Sequence, residues 1–187
     1  MKVLLATQKP FAAKAVEGIV NILTEAGHEV VKLEKYEEQK DLVAAVADAE
    51  AMIIRSDKVT AEVIAAAPKL KIVVRAGAGF DNVDLAAATE HGVVVMNTPG
   101  QNSNAVAELA VAMMIFMART QFTPATGSEV QGKRLGIQAF GNVGRLVGAK
   151  AKALGMEILA LDPFLTPEQI EAGGAKPVTD LGELYAS

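Results

Sequence analysis

The sequence predicts an α/β fold built on parallel sheets, on three observations. Short β-branched runs alternate with amphipathic stretches from end to end, the pattern of strands joined by crossover helices. Hydrophobic residues make up 51% and charged residues 21%, a composition that supports a packed core rather than disorder. A glycine-bearing turn, AFGNVG at residues 139–144, falls between a predicted strand and a predicted helix. No internal repeat or low-complexity tract interrupts the alternation.

The elements follow in order. KVLLAT has an apolar run too short for a secretory core and reads as the first strand. The next helix places Val16, Ile19, Val20 and Leu23 at i, i+3, i+4 and i+7 and closes at Gly27. VVKL precedes a helix after Asp41, AMIIR a helix after Thr60, and LKIVVR a helix after Asp84; VVVM at 93–96 makes a fifth strand. Turn-forming residues accumulate in NTPGQNSN, 97–104, and mark a domain boundary. In residues 105–118 thirteen of fourteen are apolar, Glu108 being the exception. A helix of that kind has no face for water and should be covered on every side, by the other domain or a second subunit. A polar link leads to strand RLGIQA, the glycine turn, a helix to Leu154 and strand EILALD. A helix after Thr166, a weak strand around AKPV and a helical turn from Asp180 come last.

Several function classes are excluded. A net charge of −4 with scattered Lys and Arg gives no field for a polyanion, so no nucleic-acid partner is expected. The absence of cysteine removes disulfides, thiol nucleophiles and thiolate metal sites. The longest apolar run, residues 109–118, is half the roughly 20 residues a membrane helix needs, so no membrane partner and a cytoplasmic location are expected. His28 and His91 fall beside Gly27 and Gly92 at predicted helix ends, where an imidazole suits the dipole, and no metal-ligand cluster stands out. GSEVQGKR, 127–134, imitates a triphosphate-binding loop, but Arg134 replaces the metal-binding hydroxyl and the stretch precedes a strand.

The turn at 139–144 carries more. In a dinucleotide fold the first glycine permits a tight turn, the second lets backbone approach the pyrophosphate, and the third lets helix and strand pack closely. Gly141 and Gly144 fill the second and third places, while Ala139 holds the first, acceptable there with a negative φ. The turn opens a helix whose N-terminal amides suit an anion. Asp162, 18 residues after Gly144 at the next strand end, is placed to accept from adenosine ribose hydroxyls and to repel a 2′-phosphate, favouring NAD over NADP. The plainer reading is a turn needed only for packing, with Asp162 a solvated strand end.

Only two arginines occur in the first hundred residues, Arg55 and Arg75, both at the carboxyl ends of strands where open α/β sheets bind ligands. Guanidinium groups match carboxylate or phosphate, which suggests a small anionic substrate. Gly77 and Gly79 would let backbone amides form an anion nest. The alternative is that each arginine pairs with a neighbouring acid, Asp57 or Asp81.

RAGAGFDNVDLAAA, MNTPGQNSNAVAE, GKRLGIQAFGNVGR and GMEILALDPF, in that order and spacing, resemble the D-isomer-specific 2-hydroxyacid dehydrogenases over essentially the whole chain. The resemblance implies a flavodoxin-like substrate domain at 1–98, followed at 99–187 by the first half of a Rossmann NAD-binding domain. It implies oxidation of a small anionic 2-hydroxy acid with NAD, 3-phosphoglycerate to 3-phosphohydroxypyruvate, the first step of serine biosynthesis. By the same resemblance Arg55, Ser56, Arg75, Ala76, Gly77 and Asn102 match substrate-side positions, and Gly141, Asn142, Val143, Gly144 and Asp162 the cofactor side. The apolar helix around 104–119 matches the family's homodimer-forming element. Asn142 stands where many relatives carry arginine, so backbone amides more than charge would hold the pyrophosphate. The family's catalytic arginine, glutamate and histidine lie in the later half of the nucleotide domain, so no catalytic residue is assigned here and the 187 residues alone are expected to be silent. The count of strands agrees: a dinucleotide needs two βαβαβ halves, and one is visible. The residues leave open a non-catalytic nucleotide or metabolite-binding module, a hydroxypyruvate or glyoxylate reductase type of the same family, and another Rossmann enzyme such as a methyltransferase.

Overall fold

A computed structural model describes residues 1–186. They form two compact units, Met1–Pro99 and a second that begins at Gly100.

The first unit runs β1 (Lys2–Thr7), α1 (Ala13–Glu25), β2 (Glu29–Glu34), α2 (Gln39–Val46), β3 (Ala51–Ile54), α3 (Ala61–Ala65), β4 (Ile72–Arg75), α4 (Leu85–Glu90) and β5 (Val94–Asn97). All neighbouring strands pair in parallel, in the order β2-β1-β3-β4-β5. That is the flavodoxin-like order. Strand β1 lies inside the sheet and is buried from Val3 to Thr7, because both faces of a parallel sheet are covered. Leu4, Met52, Ile54 and Val73 pack with Leu42, Val46, Val63 and Ile64 of α2 and α3 to form the core. Helix α2 starts three residues earlier than the sequence suggests. Asp41 acts from within its first turn, its carboxylate accepting the Glu38 amide at 3.1 Å, so Glu38 and not Asp41 is the cap. At α4 the Asp84 carboxylate accepts the Ala87 amide at 3.0 Å, and the His91 ring meets the Ala87 carbonyl at the other end.

The second unit contains α5 (Ser103–Ala118), β6 (Arg134–Gln138), α6 (Asn142–Ala153), β7 (Glu157–Leu161), α7 (Pro167–Ala172), β8 (Lys176–Pro177) and α8 (Leu181–Tyr185). Strands β6, β7 and β8 pair in parallel, the first half of a Rossmann sheet. Phe140 is fully buried at the centre of this core, against Ile137, Ile158 and Ile170. Helix α5 is the element expected to be covered on every side, by the other domain or a second subunit. It packs on α6 through one face, where Ala107 is fully buried, while Leu109, Met113 and Met117 stay 61%, 58% and 63% exposed. The unit itself covers one face of this helix, where Met114 packs on its core and Val111 and Ile115 are half-buried. Among the described residues, no helix is long and apolar enough to cross a membrane.

The turn after β6 holds a further correction. Ala139 adopts φ +72°, not the negative value expected of an alanine there. It is held by its own amide, which donates to the Leu161 carbonyl at 2.9 Å, and by the neighbouring Phe140 amide, which donates to Asp162. A left-handed alanine costs about 1–2 kcal/mol. Ala139→Gly should therefore stabilise the protein by about 0.5–1 kcal/mol, net of glycine's greater freedom when unfolded. A denaturation midpoint that does not rise would contradict the strain.

Candidate functional site

In the first unit Ile54 pairs in register with Arg75, so Arg55 and Arg75 leave neighbouring strands at the same carboxyl edge. The Arg55 Nη1 donates to the carbonyls of Lys9 (3.4 Å) and Pro10 (3.3 Å). Asp57, one of the two acids weighed as arginine partners, instead accepts the backbone amide of Arg55 at 3.1 Å. Among the described residues, neither Arg55 nor Arg75 forms an ion pair. Asp57 is 2% exposed and also accepts from the Gln8 amide (2.6 Å) and the Tyr36 hydroxyl (2.7 Å).

Burial first, then the hydrogen bond and charge of Asp57, push the Tyr36 phenol above its ordinary range. A group whose pKa rises on folding contributes stability that is complete below its unfolded pKa, near 10 for tyrosine, and is lost at higher pH. Thermal midpoints should thus fall above about pH 10, and Tyr36→Phe should flatten that fall. An identical alkaline slope in the variant would refute the assignment.

The Arg75 guanidinium lies in the space that a side chain on Gly77 would fill, overlapping Nη1 and Cζ. Its Nε is buried and has no acceptor among the described residues. The expected nest is only partly present. The Gly77 amide donates to the Arg75 carbonyl (2.9 Å) and the Ala76 amide to the Ile54 carbonyl (2.8 Å), so both shape the loop and are not free for a ligand. Asn97, not singled out from the sequence, braces the loop by donating to the Ala78 carbonyl at 2.7 Å. Ser56 is exposed beside Arg55 and borders an open polar cleft of about 550 Å³ with Lys58, Asp81 and Asn82.

In the second unit Gly141 has φ −81°, and a Cβ built on it would meet nothing within 4 Å. The fold itself does not require glycine there; the space is open to something outside the chain. A Cβ on Gly144 would collide with the Ala139 carbonyl oxygen and lie 3.2 Å from Ile137 Cγ2, which is the close-packing role. The amides of Gly141, Asn142 and Val143 have no acceptor among the described residues. They are first-turn donors at the positive end of α6. Asn142 is exposed and Val143 half-buried.

Asp162 is not a solvated strand end. One carboxylate oxygen accepts the Phe140 amide (2.8 Å) and the other the Phe164 amide (2.9 Å), so it braces the glycine turn, while each oxygen keeps acceptor capacity for a ribose hydroxyl. Beside it an apolar recess of about 270 Å³ is lined by Pro163, Leu165, Pro177 and Val178. Arg145, also missed in the sequence, donates to the Phe140 carbonyl at 3.1 Å and lies 5.4 Å over its ring, fixing the turn from the helix side. Asn102 stands, exposed, at the start of α5, and its side chain makes no capping hydrogen bond there. Arg55, Ser56, Arg75, Ala76 and Gly77 thus share the first unit, and Asn102 belongs to the second.

A flavodoxin-like sheet with strand-end arginines and a half Rossmann sheet with an open glycine cradle define a class. Residues 10–184 match the D-isomer specific 2-hydroxyacid dehydrogenase catalytic domain, and the chain belongs to that family. It is 43% identical over 170 residues to D-3-phosphoglycerate dehydrogenase of Rattus norvegicus, covering 83% of this chain and 32% of that protein. Its identity to D-3-phosphoglycerate dehydrogenase of Archaeoglobus fulgidus is 39% over 201 residues, covering 100% and 37%. Among solved structures, NAD+-bound 3-phosphoglycerate dehydrogenase of Entamoeba histolytica is similar at TM-score 0.91 and 48% identity, over 99% of this chain and 59% of that one. The NAD-dependent formate dehydrogenase of Staphylococcus aureus in complex with NAD matches at TM-score 0.80 and 28% identity, over 98% and 62%. The chain therefore spans about a third of the curated relatives it matches.

Proposed function

We propose that these residues supply the substrate-anion side and the adenosine side of an NAD-dependent dehydrogenase that oxidises D-3-phosphoglycerate to 3-phosphohydroxypyruvate in the cytoplasm, at the start of serine biosynthesis. The observation that carries the reading is the cradle at Gly141 with three unclaimed amides beside it and Asp162 at the next strand end. The pyrophosphate would sit on the amides of Gly141, Asn142 and Val143, the ribose on Asp162, and the adenine in the recess at Pro163 and Val178. NAD, when bound, supplies the hydride acceptor. Arg55 and Arg75, with Ser56, would bind and orient the carboxylate and phosphate ends of the substrate, from the edge that the Ala76 and Gly77 amides shape. Two guanidinium groups without a counter-acid favour a multiply charged anion, and the relatives named as phosphoglycerate dehydrogenases favour phosphoglycerate over other 2-hydroxy acids.

Calorimetric titration tests this. NAD should bind saturably and NADP more weakly; no saturable NAD binding would overturn the reading. For 3-phosphoglycerate, Gly77→Ala should displace the Arg75 guanidinium and raise Kd about tenfold, roughly the worth of one charge-assisted hydrogen bond. Wild-type affinity in that variant would take Arg75 out of the site.

We also propose that α5 is a homodimer surface. Val106, Leu109, Met113 and Met117 form an exposed apolar stripe at helical spacing, the kind of face a second copy would cover. Sedimentation should give twice the 19.5 kDa chain mass, and Leu109→Glu should return the single chain. A wild-type monomer at high concentration would rule this out.

A further inference from the structure

We infer that Asp57 is a positioning residue for the substrate anion, acting through Arg55; the inference rests on the proposal that Arg55 binds that anion. Segments that follow four different strands converge on Asp57. After β1, the Gln8 amide donates to its Oδ1 at 2.6 Å. After β2, the Tyr36 hydroxyl donates to the same oxygen at 2.7 Å. At the end of β3, the Arg55 amide donates to Oδ2 at 3.1 Å. After β4, Asn82 donates to the Asp57 carbonyl at 2.7 Å.

A carboxylate buried this deeply is retained only because donors surround it. Here two of those donors belong to the anion loops themselves. The hold on Gln8 fixes the segment that follows it, and that segment presents the Lys9 and Pro10 carbonyls that receive the Arg55 guanidinium. The hold on the Arg55 amide fixes the other end of the same side chain. Asp57 therefore clamps both the backbone that carries Arg55 and the carbonyls that aim it. An asparagine has the same shape but one acceptor oxygen, and its amide N–H groups would face a donor they cannot bond.

The test is a double-mutant cycle read as Kd for 3-phosphoglycerate on the whole chain. Asp57→Asn should raise Kd about tenfold, leave NAD affinity unchanged, and add nothing once Arg55→Ala is present. A purely architectural role predicts the same loss in both backgrounds, and that result would overturn the inference. Weakened binding in Arg55→Ala beside wild-type binding in Asp57→Asn also overturns it and spares the proposal for Arg55. If Arg55→Ala binds as the wild type does, the proposal for Arg55 falls and the inference with it. Should Asp57→Asn not fold, Tyr36→Phe, which removes one donor to the clamp, should raise Kd two- to threefold in the native background only; an unchanged Kd there overturns the inference.

Discussion

Gly144→Ala should lower the stability of the second unit by about 1–3 kcal/mol, the usual penalty for overpacking, and abolish NAD binding. The added carbon would run into the Ala139 carbonyl, a backbone atom at the base of the turn, with Ile137 3.2 Å behind it. Backbone cannot rotate away as a side chain can, so helix α6 must move off the sheet and take its first-turn amides with it. Gly141→Ala is the paired control. Its Cβ meets nothing and its φ is ordinary, so the melting midpoint should stay near the wild-type value while NAD binding is lost to occupation of the cradle. Thermal denaturation and calorimetry read both quantities. Native NAD affinity in Gly141→Ala would show that the open space is not where the pyrophosphate goes.

Asp162→Ala should weaken NAD binding at least tenfold and narrow the preference over NADP, since in the proposed site the acid would both accept from the ribose and repel a 2′-phosphate. It should also cost about 1 kcal/mol or more of stability, because the part-buried Phe140 amide loses its acceptor. Asp162→Asn separates the two effects. Its remaining oxygen can still accept the part-buried Phe140 amide but not also the exposed Phe164 amide, so less stability should be lost than in Asp162→Ala, while the loss of charge should relax the discrimination against NADP. If affinity for both dinucleotides is unchanged in Asp162→Ala, the residue has no part in binding.

The fold was readable because its signals are regional. Strand runs such as KVLLAT and IVVR, separated by amphipathic stretches, admit little besides parallel crossovers, and the five-strand order and half Rossmann sheet follow from them. What escaped notice depends on single dihedrals or distant partners. Ala139 gives no sign of its positive φ, since alanine sets no preference for it and the Leu161 carbonyl that holds it comes from the next strand. Asp57 stands two residues after Arg55, which suggests a guanidinium partner; its actual bonds to Gln8 and Tyr36 join residues 49 and 21 positions apart. The nest at Gly77 was over-read for a similar reason: a glycine permits free amides but does not say whether the loop will consume them. Helix α5 was read from composition alone, and composition does not distinguish the face a unit covers from the face it leaves open.

The double hold of Asp162 on the Phe140 and Phe164 amides bears on how such sequences evolve. A descendant that lost its ligand altogether would still be selected to keep an acid at 162, because folding alone rewards it. A carboxylate at this position is then a mark of scaffolding first, and only together with an open cradle at Gly141 does it speak for retained chemistry.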